Sequence, residues 1–185
     1  MRRFVPLLAA FGVLSFAIAV AVNAAPTKVG DHLPSGFNVL DAQSKPTDYN
    51  AIAGDKGAVL LFIRSIDWCP FCQLQVKEWN ASREQFEKAG YHVAAISYDK
   101  PEITARAREK LSIALPVYAD AGSAMIKALG ILNTDIPSDS GKLYGIPNPT
   151  IYVVNRDGII THRFAEEGYQ KRPLIADVKA ALNLQ

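Results

Sequence analysis

The 185-residue sequence has little cysteine, little histidine and no excess of charge of one sign. Its two cysteines exclude a small secreted scaffold stapled by several disulfides. Twenty Lys and Arg stand against 18 Asp and Glu, a net +2. Arg2 and Arg3 account for that excess, so the remainder is neutral and no nucleic-acid partner is expected. The three histidines, His32, His92 and His162, are scattered, and none stands at a spacing that completes a metal site with the cysteines. No internal repeat, low-complexity tract, nucleotide motif or flavin motif is visible, so no cofactor is implied. What is present is an ordinary folding composition, 49% apolar and 21% charged, with 12 Gly and 11 Pro.

Residues 1–24 read as a secretory leader. Met1-Arg2-Arg3 is a positive start, Phe4–Val22 is almost wholly apolar, and Val22 and Ala24 place small residues before a cleavage site. The apolar run of about 19 residues also reaches the lower range of a membrane span, so an uncleaved anchor is the alternative. Either way residues 25–185 are expected outside the cytoplasm, in the periplasm or anchored facing it.

Residues 25–185 read as one domain. A small N-terminal hairpin is expected at Phe37–Asp41 with a turn at Ser44–Pro46. Gly57–Ile63 is a continuous apolar run that suits a strand buried on both faces. A helix follows from about Pro70 to Lys88, with Leu74, Trp79 and Phe86 turned inward, and then a strand at Tyr91–Ser97. Next come a helix over Pro101–Leu111, a short strand at Leu115–Ala119, a helix over Ser123–Leu129 and a loop-rich stretch to Asn148. Thr150–Val154 and Ile159–Phe164 read as a hairpin around Asn155–Gly158, and an amphipathic helix over Pro173–Leu184 closes the chain. This order predicts an α/β fold, a mixed central sheet with helices on both faces.

Both cysteines lie in Trp68-Cys69-Pro70-Phe71-Cys72, just after the buried strand and at the start of a helix. There the unsatisfied backbone N–H groups and the helix dipole favour a thiolate and can bring a cysteine pKa into a range of roughly 3.5–7.5. Pro70 suits the first helical position. On this pattern Cys69 is the exposed nucleophile and Cys72 the thiol that resolves a mixed disulfide by attacking Cys69. Two plainer readings stand beside it. A structural Cys69–Cys72 disulfide closes too short a loop to constrain the unfolded chain much. A zinc site has only half its ligands.

At these residues the chain resembles the thioredoxin superfamily over nearly all of residues 25–185. The match rests on W-C-P-F-C after Val59–Ile63, and on Pro149 in Ile146-Pro147-Asn148-Pro149-Thr150 just before the next strand. The resemblance implies a cis Asn148–Pro149 bond facing a redox-active Cys69–Cys72 disulfide, with the backbone there pairing to a bound substrate. It also implies that Trp68 covers the disulfide or meets partners, beside the alternative of core packing.

Within the superfamily the chain looks like the AhpC/TSA redoxin group of peroxiredoxins and membrane-facing thioredoxins. Gly30-Asp31, Leu33-Pro34, Ser97-Tyr98-Asp99 and Leu115–Asp120 carry that likeness. Against the peroxiredoxin pattern P-x-x-x-T-x-x-C aligned on Cys72, Ser65 holds the proline place and Cys69 the threonine place. The usual arginine is missing from the Pro149 region, with Arg64 and Arg163 as candidate substitutes. No acid stands six residues before Cys69, where Ile63 lies, so Asp67, Glu78 or water is left to handle protons.

The resemblance therefore implies a thiol–disulfide oxidoreductase. Its partners would be protein thiols and disulfides and an upstream thiol or membrane electron donor. The alternative is a peroxiredoxin-like antioxidant acting on hydroperoxides. A more distant one is copper delivery of the Sco type, for which His162 would be the ligand sought. The direction of electron flow is not encoded in the Pro70-Phe71 dipeptide.

Overall fold

A computed structural model describes residues 24–166, 168 and 170–184. The leader up to residue 23 lies outside the described residues. Among those described, no helix is long and apolar enough to cross a membrane.

Seven strands form one mixed sheet: β1 (Asn38–Leu40), β2 (Pro46–Asp48), β3 (Gly57–Ile63), β4 (Tyr91–Ser97), β5 (Val117–Ala119), β6 (Thr150–Asn155) and β7 (Ile160–Ala165), in the order β2-β1-β5-β4-β3-β6-β7. The central β3 pairs in parallel with β4 and antiparallel with β6, and β4 runs parallel to β5. All seven β3 residues are buried. Its side chains alternate between two cores, as the period of two along a strand requires. Val59, Leu61 and Ile63 join Trp79 and Phe86 of α2 (Pro70–Lys88), Ala107 of α3 (Pro101–Leu111) and Val178 of α5 (Ile175–Ala181). Ala58, Leu60 and Phe62 join Tyr49 and Ile52 of α1 (Tyr49–Ile52) and Ile126 of α4 (Ala124–Ala128). The expected α/β sandwich is therefore present, and the N-terminal hairpin extends its sheet through the pairing of Leu40 with Ala119.

Two local expectations change, and one short helix is new. Leu74 is 57% exposed, because the buried face of α2 runs through Cys72, Gln75, Val76, Trp79 and Phe86. Helix α1, too short to show a periodic pattern, is started by Asp48, whose carboxylate accepts from Ala51 N–H at 2.9 Å. Helix α5 begins at Ile175 and leaves Leu174 exposed.

The register decides where chemistry can happen. Ile63 pairs with Ser97, Phe62 with Thr150, and Thr150 with Ala165. The loops after β3, β4 and β7 and the loop before β6 therefore meet at one end of the sheet. That end is the carboxyl end of the parallel strands.

Candidate active site

Helix α2 starts at that end. Cys69 is its N-cap, with Pro70 at the first helical position. The Cys69 sulfur accepts from Cys72 N–H at 3.3 Å, and its carbonyl accepts from Cys72 N–H and Gln73 N–H at 3.1 and 3.0 Å. Gln73 steadies the approach to the helix by donating to the carbonyls of Ile66 and Asp67 at 3.0 and 2.7 Å. Both cysteines are free thiols.

Neither cysteine is exposed, in contrast to the exposed nucleophile expected at Cys69. Cys69 is only 2% exposed and Cys72 is fully buried. The Cys69 thiol donates to the Cys72 sulfur; that bond and burial push the Cys69 pKa far up. The same bond is the largest influence pulling Cys72 down, to about 6, against the opposing effect of burial. The backbone N–H of Ser65 and the Arg172 guanidinium add to it. Arg172 Nη2 lies 3.4 Å from Cys72 Sγ and 3.9 Å from Cys69 Sγ. Arg172 and the start of the helix thus favour a thiolate at Cys72, inside the first helical turn.

Arg172 was not anticipated. Arg64, one candidate, has its guanidinium 5.4 Å over the Trp68 ring. Arg163, the other, lies mid-strand in β7 opposite Tyr152 and is exposed. Arg172 follows β7, whose Ala165 pairs with Thr150 at this end of the sheet, and its guanidinium reaches both sulfurs. A basic residue just ahead of Pro173 and the closing helix was the only trace in the sequence.

Trp68 is held on its polar edge, its indole N–H donating to Tyr98 Oη at 3.1 Å, and it packs against the core that contains both cysteines. Tyr98 in turn donates to the carbonyl of Lys142 at 2.6 Å. Pro149 is buried and lines a cavity of about 440 Å³ with Arg64, Asn133, Asp135, Ile136, Asn148 and Glu166. No peptide bond among the described residues is cis, so the expected cis Asn148–Pro149 bond is not found. Its backbone is already paired within the chain. Asn148 N–H donates to Ile131 at 2.7 Å, Asn133 N–H donates to Ile146 at 2.9 Å, and Leu132 bridges to Pro147. That pairing leaves the Asn148 N–H engaged internally instead of offering it to a substrate strand.

Neither suggested proton handler faces the sulfurs. Asp67 meets Arg106 at 3.6 Å on the surface and Glu78 is exposed. The buried acid nearest in connectivity is Asp99, which accepts from Ser65 Oγ–H, Ile66 N–H and Ser97 Oγ–H. His162, sought as a copper ligand, stacks on Phe164 in β7 at 6.2 Å. No group of three or more His, Cys, Asp or Glu among the described residues could hold a metal ion.

A dithiol at the head of a helix, on the carboxyl end of a mixed sheet sandwiched by helices, defines a redoxin of the thioredoxin superfamily. Residues 29–163 match the AhpC/TSA family, and the chain belongs to it. It is 26% identical over 139 residues to peroxiredoxin Bcp of Escherichia coli K12, covering 75% of this chain and 86% of that one. It is 27% identical over 128 residues to chloroplastic peroxiredoxin Q of Sedum lineare, covering 69% of this chain and 63% of that one. Among solved structures, the peroxidoxin BcpB of Mycobacterium tuberculosis superposes with a TM-score of 0.69 at 20% identity, over 84% of this chain and 94% of that one. The thiol peroxidase of Chromobacterium violaceum gives 0.71 at 18% identity, over 88% and 90%. At such identities these structures establish the shared fold.

Proposed function

We propose that the protein is a thiol peroxidase in which Cys72 reacts with hydroperoxides and Cys69 resolves the product. The observation that carries this reading is the Arg172 guanidinium 3.4 Å from the buried Cys72 sulfur, in the first turn of the helix that Cys69 caps. The Cys72 thiolate attacks the outer peroxide oxygen. An S–O bond forms, the O–O bond breaks, and the leaving alkoxide or hydroxide takes the proton of Cys69 as Arg172 stabilises its charge. The Cys69 thiolate so formed attacks the Cys72 sulfenic acid, forming the S–S bond and releasing hydroxide, which solvent protonates. Two electrons from an external dithiol, a protein thiol or an upstream membrane donor, restore the pair. Relatives that bear the peroxiredoxin name support the same reading.

This assigns Cys72 and Cys69 as the catalytic residues, with Trp68 and Pro149 as the wall of the site that meets substrate or reductant. The leader favours work outside the cytoplasm, to be checked by fractionation of the full-length chain. Disulfide exchange with protein substrates is the second reading, favoured by the two-residue spacing of the cysteines.

The test is stopped-flow fluorescence of the reduced protein mixed with hydrogen peroxide or an alkyl hydroperoxide. A rate far above that of a free thiolate is expected. It should vanish in Cys72→Ser, while Cys69→Ser should react once and hold a trappable sulfenic acid. A rate no faster than a free thiolate would return the site to disulfide exchange. Fast reaction in Cys72→Ser but not Cys69→Ser would exchange the roles of the two cysteines.

A further inference from the structure

We propose that Asp99 is a positioning residue for the Cys72 thiolate, acting through the loop that joins β3 to helix α2. The inference rests on Cys72 being the reactive thiolate. Asp99 lies just past the end of β4, and it is only 6% exposed. Ser65 Oγ donates to its two oxygens at 3.0 and 2.9 Å, Ile66 N–H donates at 3.1 Å, and Ser97 Oγ donates at 2.6 Å. Ser65 and Ser97 are themselves fully buried.

The tether then passes forward. Ser65 Oγ accepts from Asp67 N–H at 3.1 Å and from Trp68 N–H at 3.3 Å. One carboxylate and one hydroxyl therefore fix the successive residues 65–68, ending next to the N-cap Cys69. The loop so fixed runs directly into Cys69, whose sulfur and carbonyl accept from Cys72 N–H at 3.3 and 3.1 Å, and the Ser65 N–H is among the influences that lower the Cys72 pKa.

A second anion close to a thiolate is, by Coulomb's law alone, unfavourable to it. The contribution of Asp99 must come through the donors it directs, and the two effects have opposite signs. Loss of charge alone lowers the Cys72 pKa; loss of positioning raises it.

The experiment follows the ultraviolet absorbance of the reduced protein's thiolate against pH, without peroxide, in Asp99→Asn, in Ser65→Ala and in both together. Ser65→Ala keeps the backbone N–H but cuts the tether. Each single variant is expected to raise the Cys72 pKa by about one unit and, by halving the thiolate fraction, slow peroxide reduction about twofold at neutral pH. The double variant should do no more than either alone. Asp120→Asn serves as the control. Asp120 is a buried aspartate that caps helix α4 through Met125 N–H and Ile126 N–H, and its loss should leave the thiolate titration unchanged.

An unchanged or lowered Cys72 pKa in folded Asp99→Asn would overturn the proposal. If that variant does not fold, the outcome in Ser65→Ala decides in the same way. The titration needs no peroxide, so slow peroxide kinetics in the unsubstituted protein, together with a raised pKa in the variants, would sink the peroxidase reading and leave this inference standing.

Discussion

Two thiols joined by a hydrogen bond do not share their acidity evenly, and the partner surrounded by more donors keeps the charge. Cys72 receives the Cys69 proton, the Ser65 N–H and Arg172, while Cys69 has its backbone bonds and the same guanidinium at longer range. Since the thiolate is the reactive form and the Cys72 pKa lies at about 6, peroxide reduction should climb as pH rises through that value and level off above it. Arg172→Ala should shift the climb to higher pH and slow the plateau roughly a hundredfold. Arg172→Lys should restore more of the pKa than of the plateau, because an ammonium keeps the charge but not the planar guanidinium whose Nη2 meets the sulfurs while Nη1 is held by the Lys171 carbonyl. A pH series of stopped-flow rates separates these two effects. The cysteine pair was legible at this scale because spacing and helix position are local properties. The assignment of roles was not, since it depends on Arg172, far along the chain from the cysteines, and on which sulfur the Ser65 N–H meets.

Helix α2 serves both as the platform for the sulfurs and as a strut for the sheet. Its Asn80 side chain accepts from the N–H groups of Ala114 and Leu115 at 2.9 and 2.8 Å, fixing the passage from α3 into β5. Asn80→Ala should cost about 1–3 kcal/mol in denaturant unfolding while leaving the Cys72 titration in place, since this contact is made well along the helix from its start. Boundaries such as Pro70–Lys88, Tyr91–Ser97 and Pro101–Leu111 were readable directly. Proline marks the first helical turn, and an unbroken apolar run marks a strand with a helix on each side. Helix α1 and the tight turn at Gly141–Leu143 were not, because elements of three or four residues are defined by the tertiary contacts around them. The internal pairing of residues 131–133 with 146–148 was hidden for the same reason, and with it the geometry at Pro149.

Two buried carboxylates, Asp99 and Asp120, stand at the carboxyl ends of neighbouring parallel strands, and burial raises the pKa of both. A carboxyl whose folded pKa is raised binds its proton more tightly in the folded state. Its contribution to stability is therefore greatest below the unfolded value of about 4 and falls as pH rises through the window up to the raised pKa. The stability of the native protein relative to Asp120→Asn should accordingly decline as pH rises from about 4 toward neutrality, as read from denaturant midpoints at a series of pH values. The opposite slope would show that the Met125 and Ile126 N–H groups outweigh burial. The fold class, by contrast, was visible from the order of elements alone, because alternating strands and helices leave few ways to cover both faces of a sheet.

Because Cys69 caps the helix and Cys72 lies in its first turn, closing the disulfide is a movement within one loop of chain. Nothing in α2 has to unwind for the two sulfurs to meet. In the proposed cycle, a sulfenic acid would disappear by a first-order step with no folding event in front of it, whereas its further oxidation would wait for a second peroxide to arrive. As peroxide concentration rises, that competition turns slowly against the enzyme. On that reading the arrangement would suit a catalyst that keeps working through an oxidant surge better than one that shuts down and reports it.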